Sequence, residues 1–394
     1  MTMVADKQDK VLNVPNLRFP QFTEEWTEYK LEDITSFSKD RISSSTLTEE
    51  NYVSTENMLQ DFQGIVRSQG VPTNTNVMAY KKGDVLISNI RPYLKKVWKS
   101  DRDGGCSADV FVIRANKTLC NEDFLHYIIA NDCFIAYVMS GAKGVKMPRG
   151  DKEQMKGYRT AIPSLEEQTK IARLLTAIDE RITSQNRITK ELQSLISGIT
   201  HKISKHSTVR RTMLKELLCE RHEKNSLLFP VHSVSVSEGI VNQIEYLGRS
   251  FSAADTSNYN VAHKGDIIYT KSPTGDFPFG IVKRSAIETN VAVSPLYGVY
   301  QPVSDEVAVY LHYYFCSPLN AQNYLHKLIQ KGAKNTINIT NQRFLENYVP
   351  LPDKDTLSKF VLLMNVVSEK LNSEKSLLNA LQSQKSYLLK EMFV

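Results

Sequence analysis

Residues 164–203 read SLEEQTKIARLLTAIDERITSQNRITKELQSLISGITHKI. From Ile171, alternating steps of four and three land on Ile171, Leu175, Ile178, Ile182, Gln185, Thr189, Leu192, Ile196, Ile199 and Ile203. All but Gln185 and Thr189 are apolar, and the residues between are mostly Lys, Arg, Glu, Gln, Ser and Thr. So narrow a strip is a coiled-coil seam, not the broader apolar face of a helix lying on a globular core. Pro163 and Ser164 start the helix, and Glu166 and Glu167 place negative charge at its positive end. At about 1.5 Å per residue, roughly forty residues make a rod of about 60 Å. Such a rod needs a partner helix. The two polar seam positions would fix its register at some cost in stability.

The partner is expected at the C-terminus, where residues 355–394 read DTLSKFVLLMNVVSEKLNSEKSLLNALQSQKSYLLKEMFV. Leu357, Val361, Met364, Leu371, Leu378, Leu381 and Leu388 approximate the same seam, again after a proline, Pro352. Each long helix follows a mixed region of similar length, which suggests an internal duplication. Lys264-Gly265-Asp266 answers Lys82-Gly83-Asp84, each followed by a β-branched run. Leu311-His312-Tyr313 answers Leu125-His126-Tyr127, and Gly332-Ala333-Lys334 answers Gly141-Ala142-Lys143. Pro352 answers Pro163. The four landmarks keep one order, 182–191 residues after their counterparts, and loop insertions account for the drift.

Within the first copy, 84–88 and 109–114 read as strands and 158–162 as a closing strand. Asn121 caps a helix running towards Val138, and 140–150 is a polar, glycine-bearing loop. The expected fold class is α+β. The segments are 1–163 and 207–352, two similar domains, with 164–206 and 353–394 as two long antiparallel helices holding them apart.

The chain has 394 residues, 41% of them hydrophobic, and a net charge of +6. That size suits two or three globular domains, and the mild positive charge permits a polyanionic partner without requiring one. No apolar run reaches the roughly twenty residues that cross a bilayer. The polar N-terminus does not read as a signal peptide. Five cysteines without a CxxC pair point to free thiols in a reducing cytoplasm rather than to disulfides or zinc. A DNA methyltransferase would need a glycine-rich cofactor loop and an Asp/Asn-Pro-Pro-aromatic tetrad. A translocase would need a Walker loop, and a zinc hydrolase a His-Glu-x-x-His. The sequence contains none of these. His126 and His312 sit beside Leu and Tyr on helices and read as packed core residues, while His201 and His206 read as surface.

With these residues in place, the chain resembles the specificity subunit of a type I restriction-modification system. The paired Lys-Gly-Asp strands and Gly-Ala-Lys loops carry the resemblance, together with Pro163-Ser164-Leu165-Glu166-Glu167-Gln168-Thr169-Lys170-Ile171-Ala172 leading to Ile178-Asp179. The second helix departs from it, since Pro352-Asp353-Lys354-Asp355-Thr356 lacks the Glu-Gln pair. The resemblance implies a non-catalytic subunit whose two domains each read half of a split double-stranded DNA target. Such half-sites lie about a helical turn apart, roughly 34 Å. It also implies partners: two methyltransferase subunits docked on the long helices, restriction subunits, and no membrane. No cofactor is expected in this chain; S-adenosylmethionine, ATP and Mg would belong to the partner subunits. Gln168, Ile171, Leu175, Ile178, Ile182, Leu371 and Leu378 are the candidate partner-binding positions on the helices.

DNA contact needs cations and backbone amides for phosphates, and Arg, Lys, Asn or Gln forks for bases. The candidates are Lys143, Lys146 and Arg149 in the glycine-bearing loop, then Asn89, Arg91, Tyr93, Lys95 and Lys96 after the Lys-Gly-Asp strand. An aromatic among cations suits a nucleic-acid surface. In the second copy they are Lys271, Lys334, Asn335 and Thr336. The bland reading of all these residues is a solvated face, and of Gly141 and Gly332 a simple turn. The alternative function is a non-catalytic coiled-coil scaffold or dimerisation protein.

Overall fold

A computed structural model describes residues 13–248, 253, 255–331 and 337–394. The chain divides into two compact units. One runs up to Ser184 and adds Leu377–Val394; the other is Gln185–Ser376. Both long helices, Leu165–Ser204 and Lys354–Glu391, pass through that division, so each unit contains part of each helix. The compact units therefore differ from the four consecutive segments drawn from sequence, because the helices pack into the cores of the domains.

In the first unit, strands Thr35–Phe37, Val110–Ala115, Val85–Ser88 and Val97–Lys99 form an antiparallel sheet in that order. A second sheet has the order Arg41–Ser43, Asn76–Tyr80, Gly104–Cys106, Tyr52–Val53, the last pair parallel. Thr27–Lys30 pairs with Arg159–Ile162 as a separate ribbon. The second unit repeats the plan. Leu218–Glu220, Gly298–Pro302, Ile267–Tyr269 and Val282–Arg284 make one sheet. Asn260–Ala262, Val291–Val293, Val231–Ser235 and Gly239–Asn242 make the other, again with one parallel pair. Arg210–Met213 with Tyr348–Leu351 is its ribbon. The duplication inferred from four short landmarks thus extends to the strand order of the first sheet and to three strands of the second, whose fourth strand, Arg41–Ser43 in one unit and Gly239–Asn242 in the other, adds at opposite edges.

The Lys-Gly-Asp landmarks do more than turn the chain. Gly83 and Gly265 have φ of 92° and 89°, a left-handed backbone that favours glycine. Asp84 is buried, accepts the Lys81 N–H at 2.8 Å, and takes Arg114 Nε at 2.9 Å and Nη2 at 2.8 Å. Asp266 likewise accepts the His263 N–H at 2.8 Å and Arg221 Nε and Nη2 at 2.7 and 3.0 Å. Arg114 lies on strand Val110–Ala115 whereas Arg221 just follows strand Leu218–Glu220, so the repeat has kept the ion pair and changed its donor. A buried carboxylate needs such a two-pronged partner to offset its lost hydration.

The helix expected from Asn121 towards Val138 is two helices, Glu122–Ile129 and Asp132–Ser140. Asn121 caps the first, and Asn131 caps the second by accepting the Cys133 N–H at 2.9 Å. An Asn-Asp pair inside an apolar run was the available signal. His126 is half-buried with its Nδ1 enclosed and unpartnered, and burial pushes the ring below its ordinary range, so it stays neutral.

All ten seam positions of the central helix are buried or half-buried. In the first unit, Ile171, Ala172, Leu175 and Ile178 join Trp26, Phe124, Leu388 and Met392 in one core. In the second, Ile196, Ile199 and Ile203 pack against a core holding Leu357, Phe360 and Met364. Gln185 donates to the Glu374 carbonyl at 3.1 Å and to its carboxylate. The central helix therefore meets the C-terminal one antiparallel, its end near 360 and its middle at 374. Thr189 is satisfied within its own helix by the Gln185 carbonyl at 3.0 Å. The C-terminal seam differs from expectation. Phe360 is buried where Val361 was placed, and Val367 and Glu374 belong to the seam as well. Adjacent apolar residues leave steps of three and four indistinguishable until a partner surface chooses between them.

Candidate nucleic-acid interface

Strand Val85–Ser88 is buried along its length and ends by aiming its successor out of the sheet. Ser88 Oγ holds both the N–H and the carbonyl of Ile90. Arg91 then takes a left-handed conformation at φ 49°, Pro92–Leu94 form a single 3-10 turn, and Lys95 is left-handed again at φ 53°. Non-glycine residues held at positive φ carry strain that surrounding contacts must sustain. The 140–150 loop supplies those contacts. Arg91 N–H donates to the Pro148 carbonyl at 2.7 Å, and Gly150 N–H donates to the Asn89 carbonyl at 2.8 Å. Lys143 and Arg149 exchange both backbone bonds, at 3.0 and 2.9 Å, closing a hairpin whose tip turns at Gly144 with φ 98°.

Two stretches chosen separately from sequence are therefore zipped into one surface. It carries Asn89, Arg91, Tyr93, Lys95, Lys96, Lys143, Lys146 and Arg149. Their electrostatic states differ. Lys143 pairs with Asp151 at 2.9 Å, Arg149 with Asp109 at 3.2 Å and Lys95 with Asp132 at 2.7 Å. Lys96 Nζ donates to the Thr55 carbonyl at 2.5 Å. Arg91 and Lys146 are exposed and have no side-chain partner among the described residues. Six cations thus face three carboxylates, and the three ion pairs lie in water, where such pairs are weak and open to exchange. Asp151 is held below the usual carboxylate range by Lys143 and by the Gln154 and Glu153 amides it caps, so it stays charged opposite any incoming phosphate. Asn89 is almost enclosed, and its Oδ1 has no hydrogen-bond partner.

Gly141 corrects one expectation. Its φ is −115°, so it is not there to make a left-handed turn. A Cβ at this position would collide with the Gln154 amide, which donates to the Tyr137 carbonyl at 2.7 Å and so seats the loop on the helix before it.

In the second unit the expectations gather less. Lys334, Asn335 and Thr336, with Gly332, lie outside the described residues. Lys271 follows strand Ile267–Tyr269 as expected, but it is half-buried. Burial pushes its ammonium below the ordinary range while Glu220 opposes that shift. It is a poorer phosphate contact than Arg91 or Lys146.

The helix positions also need correction. Gln168 is 0% exposed. Its side chain accepts the Asn121 N–H at 2.8 Å and donates to the carbonyls of Leu119 and Pro163, both at 2.9 Å. Ile171, Leu175 and Ile178 are buried in the core of the first domain. None of the four has surface to offer a second protein. Ile182, Leu371 and Leu378 are half-buried. Glu167 is buried too, clasped by Arg18 Nε and Nη2 at 2.7 Å each. The Glu-Gln pair of the helix start therefore fastens the helix to its own domain.

Residues 23–194 match the family described as the type I restriction modification DNA specificity domain. That stretch is similar to type I restriction-modification DNA specificity domains. The match spans the first domain and most of the central helix, and the second unit repeats the strand order of one of that domain's two four-stranded sheets. Two solved structures share the fold. The S subunit of the type I restriction-modification system from M. genitalium has a TM-score of 0.64 at 16% identity, with 97% of this chain and 99% of that one covered. A chain from a study of complex assembly and conformational transition of the type I R-M system has a TM-score of 0.51 at 17% identity, covering 93% and 97%. Members of this specificity family are non-catalytic DNA-recognition subunits. Among the described residues, no group of three or more His, Cys, Asp or Glu is placed to hold a metal. No described helix is long and apolar enough to cross a membrane.

Sequence reasoning passed over the hairpin tip between the chosen cations. Val145 is 99% exposed and Met147 is also exposed. Apolar side chains on a cationic tip can meet thymine methyls or base steps in a groove. An apolar pair flanking Lys146 inside a Gly-rich loop was the signal available.

Proposed function

We propose that this chain reads a split DNA target, one half by each domain, and directs adenine methylation or restriction by its partner subunits. The reading domains are 1–163 and 207–352, and the helices 164–206 and 353–394 carry two modification subunits, which the restriction subunits join. S-adenosylmethionine, ATP and Mg belong to those partners. The observation that carries the reading is the joining of the 89–96 turn to the 140–150 hairpin. It brings unpaired Arg91 and Lys146, exposed Tyr93 and an apolar tip onto one edge, the mix that phosphate and groove contacts require. Lys95, Lys96, Lys143 and Arg149 flank that edge, and Asn89 lies beneath it. Lys271 with Lys334, Asn335 and Thr336 would serve the second domain.

Base-by-base mapping of adenine methylation tests this, in cells carrying the chain with its modification subunit. The expected result is a split motif with a fixed gap, in which exchanging 207–352 for another member's domain changes only one half. An assembled complex that leaves no such motif would overturn the proposal.

A further inference from the structure

The second domain contains a cluster that the recognition surface does not use. Cys316 is the last residue of helix Asp305–Cys316, partly exposed, with no disulfide partner. Lys283 Nζ lies 3.3 Å from its sulfur, and His312 Nε2 lies 3.8 Å away, one helical turn back. The backbone N–H of Arg284 donates to His312 Nδ1 at 3.1 Å. That bond leaves Nε2 as the protonated nitrogen, with its hydrogen towards the sulfur. Lys283 is buried, so its charge is poorly screened where it meets Cys316. The other nearby ionisable groups are Arg284, whose guanidinium is engaged by Asp305, and Tyr313, which bonds Ser368. No carboxylate among the described residues bonds the sulfur or its two donors.

The first domain is an internal control. In matching register, the positions of Lys283 and Cys316 are held by Trp98 and Ala130, while His126 matches His312. The same strand and helix are built there without a thiol or a buried ammonium, so the fold does not require this trio.

We propose that Cys316 is a nucleophilic thiolate and a site of reversible S-thiolation by low-molecular-weight disulfides. Its sulfur attacks one sulfur of the disulfide. A new S–S bond forms to Cys316 while the old one breaks, and the departing thiolate takes a proton from water. The proton that Cys316 gave up passes to solvent, and a free thiol reverses the exchange. Burial pushes the Cys316 thiol up, but the facing His312 Nε2–H and the Lys283 ammonium outweigh it and bring the group below its ordinary range. Cys106 and Cys120, buried without such donors, are pushed up to about 12. Low-lying thiolates of this kind are the ones that undergo exchange.

The test uses the full chain with Cys133→Ser and Cys219→Ser, which removes the two exposed thiols. The chain is reacted with an aromatic disulfide, 5,5′-dithiobis(2-nitrobenzoate), across pH 5–9. One equivalent should react in a fast phase whose rate rises through a midpoint well below pH 8, and Cys316→Ser should abolish it. At pH 6 the larger thiolate fraction should leave Cys316 faster than an ordinary thiol of equal exposure, although its lower intrinsic nucleophilicity offsets part of the gain. Lys283→Met, which keeps the stem, and His312→Gln should each move the midpoint upward in chains whose circular dichroism is unchanged. The proposal is overturned by a fast phase that survives Cys316→Ser. It is equally overturned by a midpoint between 8 and 9, or by one that neither neighbour moves.

Discussion

Arg91 and Lys146 offer the sharpest test of the recognition surface, since among the described residues their side chains make no hydrogen bond or ion pair that removal would break. Each phosphate neutralised by a protein cation releases counterions worth about 0.9 in the slope of log K against log salt. Losing both should therefore reduce the slope by about 1.8. Over a fourfold rise in salt, the affinity of the Arg91→Ala/Lys146→Ala chain should fall about 12-fold less than that of the parent. The assay is fluorescence anisotropy on duplex DNA between 50 and 200 mM salt, with the chain assembled with its modification subunits. The target need not be known, because phosphate contacts act on any sequence. Lys82→Ala is the control: it is exposed in the same domain but sits in the turn that starts strand Val85–Ser88, not at its outward end. A double variant with the parent's slope and an unchanged melting temperature would remove the 89–96 turn and the hairpin from the interface.

Ile182→Asp places a carboxylate in the half-buried seam, where an unpaired polar group costs about 1–3 kcal/mol, and the melting temperature should drop by several degrees. No drop would mean that the helix pair opens freely at that point. Glu374 is held below its ordinary 4.5 by Lys370 first and then Gln185. Because its folded value is depressed, its contribution is complete above the unfolded value and fades as pH falls through the folded one. Melting curves between about pH 5 and 3 should therefore lose less stability in Glu374→Gln than in the parent; parallel acid limbs would refute the coupling. Gly280 has φ 102°, and a Cβ there would press into the Thr270 backbone carbonyl. Gly280→Ala should cost at least about 2 kcal/mol in chemical denaturation, and a smaller loss would show that this turn relaxes easily.

Much of the architecture was legible because it is written in short-range pattern. The seam needed only the spacing of Ile171, Leu175, Ile178 and Ile182 along one helix. The duplication needed only the order of Lys-Gly-Asp, Leu-His-Tyr and Gly-Ala-Lys along the chain. Misreadings arose where two local patterns were equally good. Phe360 and Val361 both satisfied the heptad, and Asn131-Asp132 looked like helix interior until its capping bond was seen.

The sequence by itself determined that this protein has two copies of one α+β domain and two long helices with a narrow apolar face. It also determined which loops carry cations. Tertiary structure alone decided what those residues do. Whether a lysine is free, like Lys146, or paired, like Lys143 with Asp151, depends on which side chains arrive beside it. Gln168 and Glu167 look like the surface of a helix start, yet Asn121 and Arg18 fold over them. Cys316 is an ordinary thiol in the sequence, and Lys283, thirty-three residues earlier, gives it a charged neighbour. Side-chain periodicity is set by bonds along the backbone, whereas electrostatic state is set by distances across space, and only folding fixes those.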